Sequence, residues 1–270
     1  YEGMLRHAFF VVGCLWLFLV VHPTHSQTFN ASEYSALKDL YDSTGGEYWT
    51  YNGATDGHWN FSDPQPCLPT PWQGLVCDTS DTHIRVIELK YYNLSGSLPE
   101  SLGSLAELQE FDLSINGLTG SLPESLGNLA KLRYLLLYNN GLTGSLPESL
   151  GNLVLLRELR ISNNLFSSDV RSLLFNKMIA LESVDLSSNY FIGPVPALNA
   201  SKLLQFDISN NAFTGAIPEL FFALPELKNF SASVNCISRA LPSLICDSSS
   251  LQELLLCGLH RSDRCASEEK

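Results

Sequence analysis

With 16 Lys plus Arg against 28 Asp plus Glu, the 270-residue chain has a formal charge of −12, which excludes nucleic acid and anionic membrane surfaces as first-choice partners. Hydrophobic residues make up 45 % and charged residues 16 %, enough apolar material for a continuous core and too little charge for a disordered chain. An internal repeat near 24 residues replaces the one or two domains that length suggests with a single elongated array.

The chain opens on a transport signal. Met4, Arg6 and His7 precede an unbroken apolar run from Ala8 to Val21, after which Pro23 and polar residues appear. This is the layout of a secretory signal peptide over residues 1–26, with Thr24 and Ser26 at −3 and −1 of a cut before Gln27 and residues 1–3 upstream of the initiator. The run is shorter than the roughly 18 apolar residues of a membrane anchor. No later stretch is apolar enough to span a bilayer, so beyond the signal segment the given chain is expected to have no membrane span and to be secreted or held at the cell surface.

Residues 27–82 read as an N-terminal cap. Ser32 is the expected N-cap of a helix whose apolar positions Tyr34, Leu37, Leu40 and Tyr41 share one face, and Gly45-Gly46 end it. Removal of Cys14 with the signal peptide leaves Cys67, Cys77, Cys236, Cys246, Cys257 and Cys265, two near the start and four near the end. An even number placed this way suits disulfide-tied caps in an oxidising compartment. Spacings of 10, 10, 11 and 8, with only His58, His83 and His260 left in the mature chain, match no zinc ligand pattern. Cys67 is expected to pair with Cys77, since no other Cys lies in the first cap. The four C-terminal Cys leave three connectivities open.

From 83 to 250, with a last repeat and C-terminal cap over 251–270, the chain repeats LxxLxLxxNxLxGxLP. The Asn-type position falls at Tyr92, Asn116, Asn140, Asn164, Asn189, Asn211, Asn235 and Leu259, spaced by 24, 24, 24, 25, 22, 24 and 24 residues. Eight coils follow. The LxL pair alternates with polar residues at period two, as in Leu135 and Leu137, so each coil contributes a short strand with one buried face. Stacked Asn side chains donate and accept at once, which predicts a ladder from Asn116 to Asn235 that satisfies the backbone where it leaves each strand. Eight strands about 4.8 Å apart make a parallel sheet on the order of 38 Å long.

These copies resemble the plant-type extracellular leucine-rich repeat family. ESLGSLAELQEFDLSINGLTGSLP and ESLGNLAKLRYLLLYNNGLTGSLP carry that family's L-T-G-x-[IL]-P step, and PCLPTPWQGLVCD from Pro66 to Asp78 looks like its N-terminal cap with paired Cys. The resemblance covers nearly all of residues 32–265. It implies an α/β solenoid, a right-handed superhelix with a parallel sheet on its concave face, a second short strand outside the first, and disulfide caps at both ends. Coil four, NNLFSSDVRSLLFNKM, lacks the Gly and Pro of the step, so residues 169–176 are expected to wind as a short helix. The following coil is shorter by two or three residues and restores the phase. The last segment, from Asn235 to Cys265, resembles the closing segment of secreted repeat proteins of protist and algal type.

No G-x-S-x-G, H-E-x-x-H or Gly-rich phosphate loop is present, and the acidic residues read as a solvated face, so no enzyme activity and no cofactor or metal is expected. Outward strand positions of a solenoid form its usual binding surface. In the first four coils these carry Glu88, Tyr91, Asp112, Tyr134, Leu136, Tyr138 and Arg160, a mixture with the composition of an interaction hot spot, whereas later coils turn small and polar. Tyr134, Leu136, Tyr138 and Arg160 are expected at its centre and Glu88 and Asp112 at its edge. Sequons at Asn30, Asn60, Asn93, Asn199 and Asn229 are candidate glycosylation sites, and a glycan on Asn229 leaves the first half as the free surface. The expected function is recognition of a protein, peptide or glycan through the concave face. The resemblance also implies an alternative, an inhibitor of cell-wall-degrading enzymes like the polygalacturonase-inhibiting proteins, with Glu88, Glu110 and Asp112 reaching the enzyme's cleft. A structural or adhesive wall protein is the third reading. A membrane anchor or kinase after Lys270 is the expectation of the receptor reading alone.

Overall fold

The computed structural model describes residues 28–51, 57–170, 172–175, 177–238, 242–246 and 248–259; the expected signal peptide and Cys265 lie outside them. The first helix, α1, spans Ala31–Ser43. Its N-cap is Asn30, one step before the helix, and not Ser32: the Asn30 side chain accepts from the backbone N–H groups of Ser32 and Glu33 at 2.9 and 3.2 Å. Ser32 instead lies inside the first turn and turns its hydroxyl back onto the same Asn30 oxygen. Asn and Ser are nearly equal as N-caps, so only the chain's entry angle separates them. The helix stops at Thr44, and Gly45 takes the left-handed conformation, φ 70°. Leu37 and Leu40 are fully buried. Tyr34 and Tyr41 close over an aromatic cluster of Trp49, Trp59, Phe61 and Trp72, with ring centroids 4.7–6.5 Å apart.

A strand at Leu75–Cys77 runs antiparallel to the first repeat strand, Ile84–Glu88. The sequence pattern gave no sign of it, because three residues show no periodicity. Gly74 precedes it at φ 80°, where an added Cβ would lie 2.5 Å from the Glu88 carbonyl oxygen. Cys67 and Cys77 form a disulfide across this cap, Cα atoms 6.0 Å apart. The helix is tied to the array by Glu33, 1 % exposed, whose carboxylate meets His83 Nδ1 at 2.7 Å and accepts from Ile84 N–H at 2.8 Å.

Beyond the cap the repeat strands Glu110–Asp112, Tyr134–Leu136, Glu158–Arg160, Ser183–Asp185, Gln205–Asp207, Asn229–Ser231 and Glu253–Leu255 continue the sheet in parallel, nine strands among the described residues. Register brings Ile87, Phe111, Leu135, Leu159, Val184, Phe206, Phe230 and Leu254 into one inward column. All but the last are buried, and each such side chain contributes about 1.5–3 kcal/mol. The Asn ladder runs from Asn116 to Asn235. Asn164 is typical: its Oδ1 accepts from Leu142 N–H at 3.0 Å while its Nδ2 donates to the carbonyls of Leu137 and Ile161 at 2.9 and 3.1 Å. Each rung therefore ties a coil to the one before it.

A second, outer row of strands, Ser95–Gly96, Gly117–Gly120, Gly141–Gly144 and Leu165–Phe166, forms a four-stranded sheet. A separate three-stranded sheet takes over with Ile192–Pro194, Ala212–Gly215 and Cys236–Ile237. The break falls at coil four, where the Gly and Pro are missing. There Ser172–Phe175 winds as the short helix α2, and a single bridge from Asp169 to Ile192 spans the gap. Short 3-10 helices, among them Glu100–Ser104, Glu124–Asn128 and Glu148–Asn152, form the opposite side of the coils. They pack so closely that a Cβ on Gly127 would lie 2.3 Å from the Ser149 carbonyl oxygen, which explains the repeated E-S-L-G.

The C-terminal cysteines depart from the expectation of a fully bridged cap. Cys236 is disulfide-bonded, but Cys246 and Cys257 carry free, exposed thiols. Cys246 ends a 3-10 helix, Ser243–Cys246, on one side of the coil, whereas Cys257 follows the main strand Glu253–Leu255 on the other. A bridge requires Cα atoms about 4.4–6.8 Å apart, and residues set on a 3-10 helix and after a main strand do not share that local geometry.

Candidate recognition surface

The outward face of the main sheet is built from alternate strand residues stacked by the parallel register. One column reads Val86, Glu110, Tyr134, Glu158, Ser183, Gln205 and Asn229, and the next Glu88, Asp112, Leu136, Arg160, Asp185, Asp207 and Ser231. Tyr134 and Leu136 thus lie side by side in coil three with carboxylates on the neighbouring coil. A further column, just past each strand, holds Lys90, Ser114 and Tyr138. Ser114 is small and fully buried, so Lys90 reaches over it to within 5.5 Å of the Tyr138 ring centroid and 5.6 Å of the Tyr91 ring. The hydrogen bond to the Tyr138 hydroxyl raises the Lys90 pKa. Lys90 was not among the residues singled out from sequence, because the contact skips a coil.

Six of the seven candidate ligand residues are accessible on this face: Glu88, Tyr91, Tyr134, Leu136, Tyr138 and Arg160. Tyr91 is 63 % exposed, at the turn where the chain leaves the strand with φ 66°. Asp112 is different. It is only 6 % exposed, and its Oδ1 accepts from both the N–H and the hydroxyl of Ser114 at 2.8 and 2.6 Å. The same Asp-x-Ser turn recurs at Asp185–Ser187 and Asp207–Ser209, so Asp112 shapes the strand exit and is not an open edge carboxylate. Burial raises the pKa of Glu110, aided by the nearby carboxylates of Glu88, Asp112 and Glu158. Burial likewise raises that of Asp207, with Asp185 adding to it.

Beside Tyr134 the face deepens into a cleft of about 150 Å³ bounded by Arg157, Glu158, Arg160, Glu182 and Leu204. Arg160 pairs with Glu158 along its own strand, and Arg157 with Glu182 of the next coil at 3.5 Å. The strand pattern pointed to Arg160 but not to Arg157, which lies one residue ahead of its strand. Nothing in the cleft combines a nucleophile with a base; its chemistry is that of paired charges around an aromatic ring. Among the described residues no group of His, Cys, Asp and Glu is arranged to hold a metal ion, and no helix is long and apolar enough to cross a membrane.

The sequons occupy distinct settings. Asn30 and Asn60 use Oδ1 as a backbone acceptor, Asn93 donates its Nδ2 to the Tyr48 carbonyl at 3.1 Å, Asn199 is exposed, and Asn229 starts the coil-seven strand on the outward column.

A family model for the leucine-rich repeat matches residues 107–129, 131–153 and 202–224. The chain therefore carries leucine-rich repeats. Its repeats are similar to those of plant receptors. It is 38 % identical over 53 residues to the leucine-rich repeat receptor-like serine/threonine-protein kinase FEI 2 of Arabidopsis thaliana, a match covering 20 % of this chain and 8 % of that protein. Among solved structures, it resembles PEPR1 in the PEPR1–AtPEP1 crystal structure with TM-score 0.73 and 27 % identity over 84 % of this chain and 31 % of that one. It also resembles the plant peptide hormone receptor RGFR1, solved with RGF2, with TM-score 0.59 and 28 % identity over 61 % of this chain and 26 % of that one. The chain thus spans under a tenth of the length of this curated relative and about a third or less of the two solved chains.

Proposed function

We propose that this chain is the recognition part of an extracellular, receptor-like leucine-rich repeat protein, and that it binds a peptide or an extended protein segment across coils one to four of its concave face. The observation that carries this reading is the juxtaposition of Tyr134, Leu136 and Tyr138 on one coil, with Lys90 laid against Tyr138 and the cleft opening beside Tyr134. Tyr side chains supply large rigid contact area at small entropic cost, and hot spots are enriched in Tyr and Arg. Coils five to seven present Ser, Asp and Asn at the same positions and have little apolar area to desolvate. The likeness to RGFR1, solved with a peptide hormone, supports a peptide over a glycan.

The test is a binding screen of the secreted protein against synthetic secreted-peptide and cell-wall oligosaccharide panels, followed by Tyr134→Ala, Tyr138→Ala and Ser209→Ala on whatever binds. Loss of about 2 kcal/mol or more is expected for each Tyr variant and parental affinity for Ser209→Ala. Parental binding by both Tyr variants removes the proposed site. In a parallel assay against purified cell-wall hydrolases, binding with loss of the hydrolase's activity replaces the receptor reading with the inhibitor one.

A further inference from the structure

Each coil enters the main sheet along one edge, and the residues ten and nine places before the ladder position lie on it. In most coils they are small or charged: Ala106 and Glu107, Ala130 and Lys131, Ser201 and Lys202, Pro225 and Glu226. Coils four and five break this rule. Val154 and Leu155 occupy the two positions in coil four and Ile179 the first of them in coil five, exposed by 43, 45 and 63 %. The bond from Glu182 N–H to the Arg157 carbonyl fixes the register of the two coils, so Val154 and Ile179 are neighbours in one column, about one strand spacing of 4.8 Å apart. Single exposed apolar side chains are ordinary; a contiguous set bordered by charge is a mark of an interaction site.

The border is mainly cationic, its one carboxylate in coil five, Glu182, being paired with Arg157. The Leu155 position is held by Lys131 in coil three and Lys202 in coil six, which flank the pair of coils, and by Ala180 in coil five; Arg133 lies on the same edge of coil three. Lys131 is engaged by Glu107 at 2.6 Å, whereas Lys202 and Arg133 are exposed. This sign is opposite to the carboxylates of the adjoining sheet face and to the chain's net charge of −12, so the edge and the concave face select different partners. We propose that the Val154–Leu155–Ile179 edge is a second docking surface, one that takes a protein segment presenting an aliphatic or aromatic side chain flanked by carboxylates. The apolar side chain covers Leu155 and Ile179, and its flanking carboxylates meet Lys202 and Arg133. The proposal does not depend on the concave-face reading, because none of these residues belongs to it.

A display library of random dodecapeptides, panned in parallel on the parent protein and on the Leu155→Asp/Ile179→Asp variant, tests it. Peptides with Leu, Ile, Phe or Trp beside Asp or Glu are expected to be enriched on the parent only. A synthetic peptide of the enriched sequence is expected to bind the double variant about tenfold or more weakly, and Lys202→Glu several-fold more weakly. Lys202→Glu removes no buried surface, so its effect cannot come from misfolding. A library in which no peptide is enriched on the parent over the double variant overturns the proposal, as does selection of basic peptides by the parent alone. Sedimentation of the parent alone provides the last arm: self-association that the double variant abolishes assigns the edge to a second copy of this chain instead.

Discussion

Seven non-glycine residues directly before the ladder position adopt positive φ, Tyr91, Ile115, Asn139, Asn163, Ser188, Asn210 and Val234, at 53 to 66°, and Gly258 does the same in the last coil. Asn is at home there, since its short polar side chain bonds locally, but a β-branched side chain crowds its own carbonyl at a cost of roughly 1–2 kcal/mol. Ile115 and Val234 therefore hold strain that Asn139, Asn163 and Asn210 avoid. Ile115→Asn is expected to raise stability by about 1 kcal/mol, read as a higher urea midpoint with an unchanged slope; an unchanged or lower midpoint contradicts it. The ladder itself was legible from spacing alone, because an inward Asn every 24 residues has few other uses. The Asp112–Ser114 turn was not. Alternation puts Asp112 on the outward side, and only the backbone's departure from extended geometry after the strand folds its carboxylate back onto Ser114.

At the level of elements, one buried acid on α1 reaches the first repeat strand. The contact from His83 Nδ1 to Glu33 is the main cause of the raised His83 pKa, with Asp78 and Glu107 adding to it against the effect of burial. A group whose pKa is raised on folding stabilises fully below its unfolded value, near 6.5, and that stabilisation is lost as pH rises through the folded value. The parent's urea midpoint is expected to fall as pH goes from about 6 to about 8, and His83→Gln to flatten that dependence. A parallel fall in the variant assigns the effect to other groups. Sequence showed the helix, its buried face and its glycine stop, because these are local. It showed neither the Asn30 cap, which depends on the chain's direction of entry, nor the Glu33–His83 bridge, which joins residues 50 apart. The apolar edge at Val154 and Ile179 escaped the strand-based reading for a similar reason: it lies in the connections, outside the alternation that defines inward and outward.

For the whole array, the interruption at coil four raises the question of cooperativity. A solenoid is stabilised by nearest-neighbour interfaces, so weakening one of them divides it into two blocks. The outer strands are split there into two sheets, yet the main sheet passes through unbroken, and Phe166, Phe191 and Phe213 stack across the same junction with centroids 5.9 and 6.0 Å apart. All three are fully buried. The parent is therefore expected to unfold in one transition. Phe191→Ala removes the middle ring at a cost of about 3–5 kcal/mol, concentrated at this interface. The tryptophans make the consequence observable, since Trp49, Trp59 and Trp72 all lie in the N-terminal cap and report only the first block, whereas far-ultraviolet circular dichroism reports strands of both. In urea the two probes should trace one curve for the parent. In Phe191→Ala the dichroism should begin to fall at lower urea than the fluorescence, as the second block unfolds first. Coincident curves in the variant would mean that the main sheet alone couples the halves, and divergent curves in the parent that the break at coil four already separates them.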